Sequence, residues 1–278
     1  MNILMQFRYD FFINAILAAL FASISCGIVG TYIVSKRKVF ISDGITHASF
    51  GGIGIGYYLG LNPIIGAVIF GILSALGIEF ISKSRDVRED SAVGIIWSFG
   101  MAIGIIFIFI TPGYAPNLMS FLFGNILTVT RFEILLMMIL SLFIVLFFSI
   151  LFKLILFISF DEEYAMTHNA PVKPINYMLL ILVSLCIVLN IRVVGIILVL
   201  SFLTIPQTTA NLFSKRFKTI MFFSVIIGFV GSFTGLIFSY LYNIPSGASI
   251  IFCFSVIFII AKVLKIITSR NKIRKAIQ

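Results

Sequence analysis

Polar positions along this 278-residue chain gather into short clusters, and nine apolar stretches run between them, at 11–35, 40–60, 63–82, 91–111, 132–158, 175–190, 193–213, 219–241 and 246–267. A helix of about 20 residues spans a ~30 Å hydrocarbon core, so most of these stretches are long enough to cross a bilayer. The pattern predicts an all-α integral membrane protein: a polytopic bundle of about 8–9 transmembrane helices in a single domain over 1–278, with short connections. Two stretches set the uncertainty in the count. The 175–190 run is short, and 193–213 contains Pro206, so each is a candidate for a split or re-entrant segment.

One stretch departs from the others. Phe40 to Gly60 is long enough to span yet carries Asp43 and His47 near one end. Four residues apart, they share a helix face and lie roughly 6 Å apart along its axis. Gly44, Ala48, Gly52 and Gly56 repeat one position further round, a small-residue seam that admits a neighbouring backbone. One reading has Asp43 capping the helix start and His47 bonded to an adjacent helix. The other is a functional site, because an acid at the bilayer centre costs at least ~2.5 kcal/mol on insertion scales. A carboxylate with an imidazole suits a divalent transition metal, and a symmetric pair of chains would supply two of each.

Composition agrees with the pattern, at 60% hydrophobic and 11% charged residues. The net charge of +10 is explained without nucleic acid. If nine helices alternate with the N-terminus outside, 17 of the 20 basic residues fall on the cytoplasmic side, leaving Arg8, Arg131 and Arg192 outside. That asymmetry predicts a cytoplasmic C-terminus. Cys26, Cys186 and Cys253 stand singly in apolar runs, which excludes a disulfide framework or a zinc motif. The first apolar run lacks a clear cleavage signal and is read as a retained membrane helix.

Catalytic and nucleotide motifs are missing. No P-loop or HExxH is present, and the glycine runs near Gly52 fall inside a membrane stretch, so any energy from ATP must come from another polypeptide. No internal repeat is visible. Among the remaining polar residues, Glu79 is read as snorkelling to the interface beside Lys83, Glu133 and Arg192 as interfacial at outer borders, and His168 as no ligand. The connection Ser159 to Pro174 predicts a short cytoplasmic helix with Asp161 as N-cap, Glu162 and Glu163 in its first turn, and an end near Asn169. Phe160 is placed to staple onto Ala165, while Tyr164 and Met166 offer apolar contact. This segment is either an ordinary surface turn or a lever that docks into a cytoplasmic partner.

Five segments carry a family resemblance: GTYIVSKRKVFISDGITHASFGGIGIGYYLG at 30–60, VREDSAVGI at 87–95, FLFGNIL at 121–127, FDEEYA at 160–165 and VVGIILVLSFLTIPQTTANL at 193–212. In this order and spacing they resemble the permease subunit of ABC-type manganese, zinc and iron importers. The resemblance implies a bacterial-type plasma-membrane protein working as a homodimer with two cytoplasmic ABC ATPase subunits and an extracytoplasmic metal-binding protein. It also implies a transported divalent metal, Mn2+ or Zn2+, with no tightly bound cofactor. By the same resemblance Asp43 and His47 match the intramembrane metal site, and the 160–170 segment (Asp161, Glu162, Tyr164, Ala165 and Asn169) matches the coupling helix to the ATPase. The chain departs from the family pattern at Asn125, where an acid is common, and at Asn169, where glycine is usual and Asn still tolerates a left-handed turn. The alternative class is a proton-coupled secondary metal transporter using the same pair without ATPases.

Overall fold

The computed structural model describes residues 10–83, 87–112, 124 and 126–277, with side chains to residue 269. Among the described residues ten helices follow in chain order: α1 (Asp10–Ser35), α2 (Val39–Tyr58), α3 (Pro63–Ser82), α4 (Glu89–Ile110), α5 (Arg131–Phe160), α6 (Glu162–Thr167), α7 (Val172–Val194), α8 (Ile196–Phe213), α9 (Phe217–Tyr242) and α10 (Ser246–Ile277). A 3-10 turn at Ile126–Thr128 precedes α5, and no strand occurs among the described residues. Arg8, Arg85 and Asn125 lie outside the described residues, as do the side chains of Arg270, Lys272, Arg274 and Lys275.

The helix starts and stops have local causes. Asn62 accepts a hydrogen bond from the Ile64 N–H at 3.0 Å, and Pro63 opens α3 where no N–H is needed. Thr130 and Glu133 form a reciprocal capping box at the head of α5. Gly195, at φ 85°, separates α7 from α8, so Val193 and Val194 belong to the earlier helix. The expected 175–190 helix runs instead from Val172 to Val194. Asn190 is buried inside the span, and its amide nitrogen donates to the Cys186 carbonyl at 2.7 Å and the Ser25 hydroxyl at 3.3 Å.

Pro206 lies within α8 without ending it. A proline removes the N–H that would reach the carbonyl four residues back, here that of Phe202. The Gln207 side-chain amide takes over, donating to the Phe202 carbonyl at 2.9 Å and across to the Cys26 carbonyl of α1 at 2.8 Å. The break in the ladder thereby becomes an interhelix tie.

Among the described residues eight helices, all but α2 and α6, are long and apolar enough to cross a membrane. α2 has the length but not the apolarity, and it lies between α3 and α4. Its approach to both is at backbone distance. A Cβ on Gly52 would collide with the Gly66 carbonyl of α3, and one on Gly56 would fall 2.9 Å from Pro63 Cα. On the α4 side, a Cβ on Gly100 would fall 2.5 Å from Ala48 Cα, and one on Gly51 would fall 2.8 Å from the Gly100 carbonyl. The pairings rise together along α2 and α4, which run parallel, and run oppositely along α3. The seam expected at Gly44, Ala48, Gly52 and Gly56 therefore serves two neighbours, Val93 and Gly100 on one side, Gly66 and Pro63 on the other.

Gly52→Ala is expected to cost about 1–3 kcal/mol, the usual range for overpacking, and to lower the thermal midpoint in detergent. Gly94→Ala on α4, where a Cβ meets nothing within 4 Å, is expected to be neutral or stabilising. Equal midpoints for the two variants would contradict the backbone contact.

Candidate functional site

α2 starts at Val39 after Lys38, with no side-chain cap bond, so Asp43 lies beyond the first turn and is not the cap that one reading allowed. About 6 Å and 12 Å in from that start, by helical rise, Asp43 and His47 share one face. His47 Nε2 stands 3.4 Å from Asp43 Oδ1, with side chains 19% and 25% exposed. The imidazole stacks on the Trp97 indole of α4, ring centres 4.8 Å apart and planes 22° apart. His47 Nδ1 is buried and has no hydrogen-bond partner. A carboxylate and an imidazole with one orphaned ring nitrogen form a two-residue donor set with unspent capacity. Among the described residues no group of three or more His, Cys, Asp or Glu side chains could hold a metal, so one chain offers two donors and no closed tetrahedral site.

Glu79 differs from expectation. It pairs with Lys83 at 3.0 Å as the sequence implied, yet it is buried at 6% exposure and also meets Lys38 at 3.5 Å. The carboxylate therefore does not snorkel outward; it joins α3 to the residue immediately before α2. Lys83 in turn lies over the Tyr177 ring of α7, 5.0 Å from its centre. At the other end of the bundle, Arg131 pairs with Asp10 at 3.2 Å and Arg192 with Glu133 at 3.0 Å. Ion pairs thus gather at the two ends, as a bilayer requires.

The short helix α6 takes the shape expected of 159–174. Asp161 Oδ1 accepts the Tyr164 N–H at 2.9 Å, Glu162 and Glu163 occupy the first turn, and Asn169 adopts a left-handed φ of 56°. Ala165 is fully buried, while Tyr164 is half exposed with its ring against His168 at 4.3 Å and Phe157 at 5.8 Å. His168 Nδ1 pairs with the Tyr164 carbonyl at 3.0 Å and so serves the turn. Phe160 does not staple: it is 79% exposed, because it is still the last residue of α5 and that helix sets its direction. Glu162 is the tie to the rest of the molecule. It accepts from Asn176 of α7 at 2.6 Å and faces Lys36 Nζ at 3.7 Å, while Lys36 also donates to the Ile158 carbonyl at 3.0 Å.

These features define a class: an all-α, polytopic membrane protein in which the one described long helix outside the apolar spans carries an acid and histidine and is held by glycine contacts. Similarity to known proteins narrows it. Residues 8–265 match the ABC 3 transport family. The manganese transport system membrane protein MntC of Halalkalibacterium halodurans is 34% identical over 91% of this chain and 87% of its own length. The manganese import system permease protein ScaB of Streptococcus gordonii is 33% identical over 91% of each chain. Among solved structures, a chain of PsaBC from Streptococcus pneumoniae in complex with Fab superposes with a TM-score of 0.83 at 34% identity, over 92% of both chains. This chain belongs to the ABC 3 transport family and is an ABC transporter permease.

Sequence reasoning missed Trp97 as the partner of His47, although it is the one tryptophan of the chain. It also missed Gly66, Gly100 and Gly104 as the far side of the seam, and Lys38 as a partner of Glu79. The parallel register of α2 and α4 would have paired position 47 with 97, but that register is a tertiary fact.

Glu79→Gln removes the charge that both lysines share. It is expected to cost about 1.5–3 kcal/mol, the range for hydrogen bonds to charged groups, and to lower the midpoint of thermal unfolding. A midpoint matching the native chain would show that the pairs contribute nothing.

Proposed function

We propose that this chain is the membrane subunit of an ATP-driven importer of a divalent transition metal, with manganese the first candidate and zinc or iron the others. The observation that carries the reading is the Asp43–His47 pair, partly buried on a membrane-length helix, with an imidazole nitrogen left without a partner. The relatives named for manganese transport support the choice of metal. Oxygen donors favour manganese and imidazole favours zinc, so the mixed pair itself accepts either.

In this reading two copies of the chain form a homodimer that brings two Asp43–His47 pairs to one pathway, supplying the donors that a single chain lacks. The metal is cargo: it arrives from an extracytoplasmic binding protein at the end marked by Arg131 and Arg192. It leaves toward the end marked by Lys36, Lys38 and Lys83. The chain sits in a bacterial-type plasma membrane with its N-terminus outside and C-terminus cytoplasmic, which puts α6 where ATPase subunits can dock. Tyr164 and Met166 are half exposed there and supply the apolar contact.

Movement of α6 has a route to the metal helix. Glu162 holds Lys36, two residues further on Lys38 holds Glu79, and α2 begins at the next position. A shift of α6 therefore pulls on the linker from which α2 starts, and the Asp43–His47 face turns with it in alternating access. Because the imidazole must be neutral to bind, protons compete with the metal and uptake weakens on acidification.

The test is uptake of labelled manganese and zinc into vesicles holding the permease, its ATPase and the binding protein. Uptake should require ATP and fall at least about tenfold in Asp43→Asn, since even outer-sphere changes cost metal sites 10–100-fold. Uptake indifferent to ATP and driven by a proton gradient would instead identify a secondary transporter, and full uptake in Asp43→Asn would remove the site.

A further inference from the structure

Two adjoining hollows lie on the face built from α1, α5 and α9, away from the Asp43–His47 site. The larger is an apolar groove of about 540 Å³. Ile24 of α1 forms part of its floor, Phe148 and Phe152 of α5 one wall, Val225 of α9 the other, and Lys218 stands at the end nearest the short helix α6. The smaller hollow, about 310 Å³, has a mixed lining, with Ser35, Ser159, Asn211 and Lys215 beside Phe160 and Ile220. Phe217 joins the two: it lines the smaller hollow, and its ring packs edge-on against Phe152 of the groove with centres 5.9 Å apart.

The cations here are without acids. Lys218 Nζ lies over the Phe152 ring, 4.7 Å from its centre, and Lys215 Nζ meets only the Asn211 amide oxygen at 3.3 Å; neither forms an ion pair among the described residues. Ser159 Oγ is buried with no hydrogen-bond partner, a donor aimed at nothing in the chain. Two unpaired ammonium groups and a free hydroxyl at the head of an apolar groove ask for an anion that carries a hydrocarbon tail. Phe222, which also lines the groove, is exposed and gives its rim an apolar surface suited to lipid. A free phosphate would leave the groove empty, and a soluble peptide would have to enter the bilayer to fill it.

We propose that this face binds one anionic phospholipid of the leaflet on the α6 side, with its phosphate at Lys215, Lys218 and Ser159 and an acyl chain in the groove. The charge asymmetry that makes this end cytoplasmic also places the site in the leaflet where anionic lipid supplies a negative surface. The proposal shares that sidedness with the transport reading and nothing else, so the metal experiment and the lipid experiment fail independently.

The test is native mass spectrometry of the purified full chain released from nanodiscs of equimolar phosphatidylglycerol and phosphatidylcholine. The native chain is expected to retain phosphatidylglycerol preferentially. Lys215→Gln and Lys218→Gln should each cut that preference by about fivefold, the value near an anionic leaflet for one basic residue. Val145→Trp, which fills the groove wall, should lower retention of both lipids, whereas Lys262→Gln on α10 should change neither. Added inorganic phosphate should not displace the lipid. Equal retention of the two lipids by the native chain, an unchanged preference in the double lysine variant, or displacement by inorganic phosphate would each overturn the site. Should the lysine variants fail to fold, Val145→Trp and the phosphate competition decide it.

Discussion

Contact at backbone distance between α2 and its two neighbours is the constraint on which the candidate site depends. A helix bearing an acid, an imidazole and several hydroxyls is a poor lipid-facing element, and α2 is the one long helix among those described that lacks the apolarity of a span. It is kept in the bundle because glycines at 51, 52, 54 and 56 meet Gly100, Gly66, Gly104 and Pro63 with no side chain between. Close approach also fixes rotation. Asp43 and His47 lie on the α4 side of the helix with Gly54, and Trp97 of that parallel helix closes on the imidazole.

Polar groups elsewhere obey the same scarcity of water. Inside the bundle, Asn190 and Gln207 spend their amide hydrogens on carbonyls, one of them the carbonyl that Pro206 leaves free. Charges sit at the ends, where Glu79 and Glu162 each bind the linker between α1 and α2. The three-residue linker thus touches both the short helix α6 and the foot of α3. A partner that moves α6 has a short mechanical path to the helix bearing the acid and histidine.

The class and most of the helices were legible because apolar runs of this length have one explanation. Eight of the nine predicted stretches became apolar spans, and the ninth, the stretch singled out for its polarity, became the buried helix α2. The short helix α6 was readable down to its Asp161 cap, since capping is a local rule. The boundary at 190 failed because the helix runs on to Val194, with Asn190 inside it donating to the Ser25 hydroxyl and the Cys186 carbonyl. Glu79 was misread because Lys38 lies forty-one positions away and nothing local announces it. Phe160 failed through direction, as two helices share Asp161 and the longer one decides where the ring points.

Trp97 makes the central claim directly measurable, being the single tryptophan of the chain and stacked on the proposed metal ligand. Zinc and manganese would be titrated into the purified chain while tryptophan emission is followed, for the native protein, His47→Ala and Asp43→Asn. Metal held by Asp43 and His47 predicts a saturable change in emission that disappears in His47→Ala and needs far more metal in Asp43→Asn. A saturable change of the same midpoint in all three proteins would place the metal elsewhere and contradict the assignment.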